Sequence, residues 1–249
     1  AAFKVKESSL DFIKGADIVI WTTTPWTIPA NKALAYNAGL KYVLIEVNDD
    51  RNFINRKIVI AKDLLEPFKK DTSIKNVNVL EEFSGKEFTN TICSHPFSEL
   101  GYDYDIPMLE ANFVTTEQGT GIVHCAPSHG PDDFNLCINN NIKAIETVDG
   151  DGKYTNEIKI FEGLHIFKAN NLIIEKLEEQ KNLVTSGKLT HSYPHSWRSK
   201  APLVHRATPQ WFISMESHGL RDKALKAIDN TDFYPCLLYT SPSPRDAES

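Results

Sequence analysis

Two short stretches concentrate the groups that could bind or react. The first, WTTTPWTIPAN from Trp21 to Asn31, carries consecutive hydroxyls at Thr22, Thr23 and Thr24, then Thr27 and Asn31. Side chains alternate across a strand, so three adjacent threonines cannot all face one core, and Pro25 pushes Thr24 away from helical geometry. Short hydroxyls beside a carboxylate suit recognition of an amine and a sugar hydroxyl, or the positioning of a water. Threonine also favours strands, so β-propensity at a sheet end explains the run as well. The second stretch, GTGIVHCAPSHGPDDF from Gly119 to Phe134, joins a glycine pair, a strand ending near His124, a turn, and a helix whose first turn holds Asp132 and Asp133. Backbone amides at that helix start, approachable past Gly130, would floor a polar pocket. Two acids there are equally ordinary dipole complementarity, and a histidine such as His124 is commonly a satisfied, partly buried side chain. His124, His129, Asp132 and Asp133 raise the question of a metal, but the spacing HxxxxHxxDD matches no common ligand pattern. No metal is expected.

The elements that must position these groups read as short strands and few helices. ADIVIW at 16–21, KYVLIEV at 41–47, KIVIA at 57–61, VNVL at 77–80 and GIVHCA at 121–126 are rich in Val and Ile and bounded by Gly, Asn, Asp or Pro. Helices are expected from Asp63 (DLLEPFKKD), from Pro131 (PDDFNLCINN) and from Ala169 (ANNLIIEKLEEQKNLV), the last capped by Asn and ending near Gly187. The mixture predicts an α+β fold, a twisted, barrel-like sheet with peripheral helices, rather than regular βαβ alternation. Towards the end, QWFISM reads as an apolar strand and the segment after it as an amphipathic helix. From Cys236 onward, CLLYTSPSPRDAES has no periodicity and reads as an expression-derived tail.

Composition bounds the class. With 249 residues, 41% hydrophobic and 24% charged, the chain can bury a core of one large or two small domains. It has no apolar run of the roughly 20 residues that cross a bilayer and no secretory pattern at its start, so a soluble, cytoplasmic protein is expected, with no membrane partner. Cys93, Cys125, Cys137 and Cys236 are widely spaced with no CxxC pair, which predicts reduced, buried thiols. A net charge of -6 argues against a free-standing nucleic-acid binder. One strip opposes it: Lys188 to Arg206 carries Lys188, Arg198, Lys200 and Arg206 with Tyr193 and Trp197 interleaved and no acid. It is compatible with a phosphate backbone, or with a solvated loop.

Taken together, WTTTPWTIPAN and, about ninety residues later, GTGIVHCAPSHGPDDF resemble the inserted editing domain, or connective polypeptide, of the class I isoleucyl-tRNA synthetases. CSHPF at 93–97 and SYPHSWRSKAPLVHRATPQWFISM at 192–215 are similar to further segments of that family, so the resemblance spans the chain up to its tail. Leucyl and valyl editing domains usually carry TTRP where this chain has TTTP, and a histidine at the position of His124 is characteristic of the isoleucyl form; the valyl type is the nearest alternative. No HIGH-like or KMSKS motif occurs, so the ATP-dependent activating centre is not expected in this chain. Some relatives have a zinc-binding HCWRC pattern where Ser196 and Ser199 stand here, which puts zinc in doubt.

The resemblance implies an editing domain over 1–190, the end of the insertion and a return segment over 191–235, and the tail over 236–249. It also implies hydrolysis of the ester joining a wrongly attached valine to the terminal adenosine of isoleucine tRNA, and of valyl-adenylate. One methylene is worth only about 1 to 3 kcal/mol in an apolar pocket, a limit for which isoleucyl-tRNA synthetases are the standard illustration, so a second sieve must remove the error. By the same resemblance Asp133 holds the α-ammonium, and Thr22, Thr23 and Thr24 contact the terminal ribose or the attacking water. Trp21, Thr27 and Asn31 bind substrate, and His124 closes the side-chain pocket against isoleucine. The implied partners are the 3′ end of the tRNA and the rest of the synthetase in cis; ATP and magnesium belong to the full-length enzyme and no cofactor to this fragment, which is expected to be a monomer. A module that only docks the tRNA end and a metal-dependent hydrolase are the competing classes.

Overall fold

The Val- and Ile-rich segments form strands, as β-branched side chains favour. Nine strands join one mixed sheet in the computed structural model, which describes residues 1–48, 55–190 and 192–232. They are β1 (Ala2–Glu7), β2 (Asp17–Val19), β3 (Ala33–Tyr36), β4 (Lys41–Val47), β5 (Arg56–Ala61), β6 (Val77–Ser84), β7 (Ile92–Ser94), β8 (Asp105–Glu110) and β9 (Val123–Cys125). Their order is β6-β4-β5-β2-β1-β7-β8-β3-β9, with β2–β5 and β3–β8 parallel and the other neighbours antiparallel.

The strand expected over 41–47 coincides with β4, but three others differ at their ends. β2 stops at Val19, short of the threonines. β6 continues to Ser84 because it follows β4 to that strand's first residue, Lys41 pairing with Ser84. β9 is confined to three residues because Gly119 and Gly121 before it take φ of +83° and +71°, which no strand accommodates. β1, β3, β7 and β8 were not expected: they are short or interrupted by Lys and Pro, and only their neighbours make them strands.

Helices α1 (Leu65–Thr72), α2 (Pro131–Asn139) and α3 (Ile166–Glu179) lie outside the sheet. α3 begins before Ala169 and is capped not by Asn but by His165, whose Nδ1 accepts the Phe167 N–H at 3.3 Å. It ends at Glu179 rather than near Gly187, two residues before Lys181 at φ +57°.

The barrel-like expectation is corrected in one respect: the sheet is twisted and curled but not closed. Its end strands β6 and β9 share no ladder. Instead the glycine-bearing lead into β9 crosses the end of β5, where Ala61 N–H donates to Thr120 O at 2.8 Å and Tyr42 Oη to Gly121 O at 2.9 Å. The curl still encloses one core, with Phe3, Ile18, Leu34, Leu44, Val59, Phe83, Cys93, Ile106 and Ile122 converging from eight strands and the lead into β9. A second core, around Trp26, Ile28, Phe97, Tyr154, Phe161, Ile166 and Ile173, seats α3 beneath the segment that follows the threonines.

The chain divides into two compact units, Ala1–Thr208, which holds all of the above, and Pro209–Ser249. The second contains α4 (Leu220–Asp229). The strand expected at Trp211–Met215 does not form, since among the described residues it has no ladder partner, and Trp211, Phe212 and Ile213 are exposed. The tail from Cys236 lies outside the described residues. Among the described residues no helix is long and apolar enough to cross a membrane.

Candidate functional site

The threonine run leaves the sheet immediately. After β2 the chain bends at Thr23 and enters a 3-10 helix, Pro25–Ala30, whose two prolines fix its path and whose residues Trp26 to Ala30 are buried. Orphan backbone groups at its start are met from outside: Asn170 of α3 accepts from Trp26 N–H at 3.0 Å, and Tyr154 Oη donates to Trp26 O at 2.5 Å. The hydroxyls then connect. Thr22 Oγ1 accepts the Thr24 N–H at 3.1 Å and lies 3.2 Å from Thr24 Oγ1, while Thr27 Oγ1 donates to Thr24 O at 2.9 Å.

That last bond determines the protonation of the neighbouring histidine. Having given its proton to Thr24 O, the Thr27 hydroxyl must accept from His124 Nε2–H, 2.8 Å away, and His124 Nδ1 must accept from Asn31 Nδ2–H at 3.2 Å. His124 is thus neutral, with both nitrogens occupied, and burial pulls its pKa down to about 4. Neither ring nitrogen is free to take a proton from another group. β9 delivers His124, opposite Leu34 of β3. Asn31 is fully buried behind His124, its Nδ2 also donating to Ala33 O at 3.0 Å; it holds the ring rather than lining the cavity.

Asp133 approaches from the other side. It sits in the first turn of α2 and folds back so that Oδ2 accepts the Ala126 N–H at 2.9 Å. Gly130 permits this, because a Cβ there would lie 3.3 Å from the Asp133 carboxyl. Burial outweighs that bond and pushes the carboxyl up to about 6. An ionised carboxylate short of partners at the edge of a cavity is a site for a cation.

These groups share one cavity of about 360 Å³, lined by Trp21, Thr22, Thr23, Thr24, Thr27, His124 and Asp133. Of the eight residues expected at the site, seven meet there and Asn31 stands behind. Asp132 is exposed and lines nothing, and His129 spends both nitrogens, one 2.9 Å from His205 O and the other 2.8 Å from Thr147 Oγ1. Among the described residues no three His, Cys, Asp or Glu side chains converge on a metal-sized point. Sequence reasoning missed Phe113, Thr115 and Gln118, which line the cavity from the loop after β8. The polar run TTEQ before Gly119 was the available signal. Gly119 itself packs on Trp21, where an added Cβ would lie 3.5 Å from the Trp21 Cβ and 3.6 Å from its indole.

Comparison with known proteins places the sequence and the fold. Residues 14–187 match the family described as leucyl-tRNA synthetase, editing domain. In sequence the chain is 70% identical over 94% of its length to an isoleucine–tRNA ligase of Pelagibacter ubique and 44% identical over 90% to that of Gluconobacter oxydans. It spans about a quarter of the length of these relatives, 26% and 25%. Its fold is similar to the crystal structure of GlLeuRS-CP1, with TM-score 0.54 and 12% identity over 70% of this chain and 85% of that one. It is similar also to a P. falciparum cytosolic leucyl-tRNA synthetase editing domain, with TM-score 0.51 and 12% identity over 68% of this chain and 78% of that one. The chain therefore belongs to the leucyl-tRNA synthetase editing-domain family, and the full-length proteins it resembles in sequence are isoleucine–tRNA ligases.

Proposed function

We propose that this domain hydrolyses the ester between valine and the terminal adenosine of isoleucine tRNA, and valyl-adenylate by the same site. The observation that carries the reading is the opposition, within one small cavity, of the linked hydroxyls of Thr22, Thr24 and Thr27 to the Asp133 carboxylate, with His124 as the wall between them. A cavity of about 360 Å³ suits a small organic ligand, at the low end of about 300 to 1,000 Å³.

In this reading Asp133 binds the α-ammonium and so orients the carbonyl. The Thr22 and Thr24 hydroxyls hold a water against the carbonyl carbon. As the water attacks, its proton passes to the substrate's own neighbouring ribose hydroxyl, which gives up its proton to the departing ribose oxygen when the tetrahedral intermediate collapses and releases valine. His124 cannot yield to a larger substrate, because Thr27 and Asn31 pin both its nitrogens. Isoleucine is rejected by overlap with that wall, which discriminates where the weak attraction of one methylene cannot. No metal takes part in the step. Residues 1–190 carry the reaction and 191–235 lead back toward the rest of the synthetase, which works in the cytoplasm and uses ATP and magnesium there; the isolated domain is a monomer.

The test is deacylation of valyl- and isoleucyl-tRNA for isoleucine by the purified chain, with Asp133→Asn and His124→Ala. Hydrolysis of the valyl ester alone is expected, lost by about a hundredfold or more in Asp133→Asn and extended to the isoleucyl ester in His124→Ala. Full activity of Asp133→Asn would overturn the assignment. Binding of tRNA without any deacylation would favour a docking module, and loss of activity with EDTA a metal enzyme.

A further inference from the structure

The pocket makes no use of the acid-free part of the sequence. Between Glu179 and Glu216 there is no Asp or Glu, although the chain as a whole carries a net charge of -6. Within this span the chain folds a tight hairpin. His195 pairs with Pro202, Leu203 N–H donates to Pro194 O at 2.9 Å, and Ser196 N–H donates to Ala201 O at 2.8 Å. The turn is closed by its own serines: Lys200 N–H donates to Ser196 O at 2.9 Å, Ser196 Oγ accepts the Ser199 N–H at 3.2 Å, and Ser199 Oγ accepts the Ala201 N–H at 3.3 Å.

These bonds brace the tip, and the side chains of Trp197, Arg198 and Lys200 are exposed. Trp197 is 67% exposed, with the Arg198 guanidinium 4.9 Å from its ring centroid. Arg198 and Lys200 are exposed, and neither pairs with an acid among the described residues. Arg206, by contrast, is engaged by Glu146 at 3.1 Å and belongs to the body of the domain.

Both feet of the hairpin rest on elements that build the cavity. Before it, Tyr193 packs edge-on against Phe167 of α3, the helix whose Asn170 holds Trp26. After it, His205 O accepts from the cavity residue His129, and Ala207 N–H donates to Ser128 O at 2.8 Å. A solvated loop has no use for a braced tip bearing an exposed indole followed by two cations that meet no acid among the described residues. A single-stranded nucleic acid does: a base presents a face to stack on, and the phosphates flanking it meet the charges. A duplex, with its bases already stacked, offers only the phosphates.

We propose that the Trp197–Lys200 tip binds single-stranded RNA, Trp197 stacking on an unpaired base and Arg198 and Lys200 neutralising the neighbouring phosphates. The choice of RNA rests on the proposed function; the stacking and charge argument does not. Binding of a short fluorescent single-stranded RNA ending in CCA to the full chain is measured by anisotropy across a salt series, alongside hydrolysis of 3′-O-valyl-adenosine, which has no RNA chain. Trp197→Ala is expected to weaken RNA binding about fivefold or more. Arg198→Glu with Lys200→Glu is expected to reduce the slope of log affinity against log salt by about 1.4, two contacts at about 0.7 each. Both variants should hydrolyse valyl-adenosine as the unaltered chain does. Unchanged RNA affinity in both variants would overturn the proposal, as would an equal loss on reversing Lys69 and Lys176, which lie outside the hairpin. If the unaltered chain fails to cleave valyl-adenosine, the editing assignment falls while the RNA result still decides the hairpin.

Discussion

Asp133 and His124 are held in opposite ways, and each makes a separate prediction. Asp133 is a half-buried acid whose pKa burial raises to about 6, so it must be ionised to bind an ammonium yet costs stability when it is. On the proposed reading kcat/KM for valyl ester hydrolysis falls below about pH 6, following the free carboxyl, and a pH profile checks it. Asp133→Asn keeps an oxygen for the Ala126 N–H and removes the buried charge. It should therefore gain about 1 to 2 kcal/mol of stability at pH 7.5 in urea unfolding while losing activity. His124 needs its partners to remain a wall. Thr27→Val removes the acceptor of its Nε2–H and leaves a buried donor unsatisfied, at about 1 to 3 kcal/mol. The same variant should admit the isoleucyl ester, because an unpinned ring can turn. If Thr27→Val retains full discrimination, the hydrogen-bond chain is not what holds the wall.

At the level of elements, the site exists because three pieces of backbone meet: the 3-10 helix after the threonines, β9 with its glycine lead, and the first turn of α2. The tightest of these contacts is at Gly121, where a Cβ would lie 2.3 Å from the Ala61 Cβ and φ is +71°. Gly121→Ala should cost about 2 to 4 kcal/mol, combining left-handed backbone strain with overpacking, and should displace His124, three residues on. Thermal unfolding measures the first effect and loss of valyl ester hydrolysis the second. Much of this layer was legible in the sequence. The proline and two acids opening α2 and the Val- and Ile-rich β4 carry their own signals. The contribution of α3 was not legible, since nothing around Asn170 announces that its amide will cap Trp26 on a segment 144 residues away. The loop with Phe113, Thr115 and Gln118 left only its polar TTEQ run as a signal, because its residues line the cavity only when the chain brings them back beside Trp21.

For the molecule as a whole, buried titratable groups set the response to acid. Burial holds His95 at about 3 and His124 at about 4, both neutral in the fold, against 6.5 for an ordinary histidine. Each binds a proton in the unfolded chain first, so the fold loses stability as pH falls below about 6.5. Asp133 acts in the opposite sense between about 6 and its ordinary 3.8, because the folded form takes its proton first. His129, half-buried, is held below its ordinary range in the same sense, so three histidines oppose one aspartate and the fold loses stability as pH falls from about 6 towards 4. Asp133→Asn removes the one opposing group and should steepen that loss. Urea unfolding at a series of pH values checks both slopes.

What the sequence alone determined was the chemistry available and the family it belongs to. The side chains proposed to bind a cation, position a water and form a wall all lie in two contiguous stretches, and their types are readable without coordinates. Tertiary structure decided how they act. Only the fold shows that Asn31 stands behind His124 and that Thr27, by donating to Thr24, obliges the imidazole to give its proton from Nε2. Likewise only the fold shows that the sheet curls without closing. These are relations between residues about ninety apart in the chain, and hydrogen-bond direction depends on who is near, which no local pattern of residue types encodes.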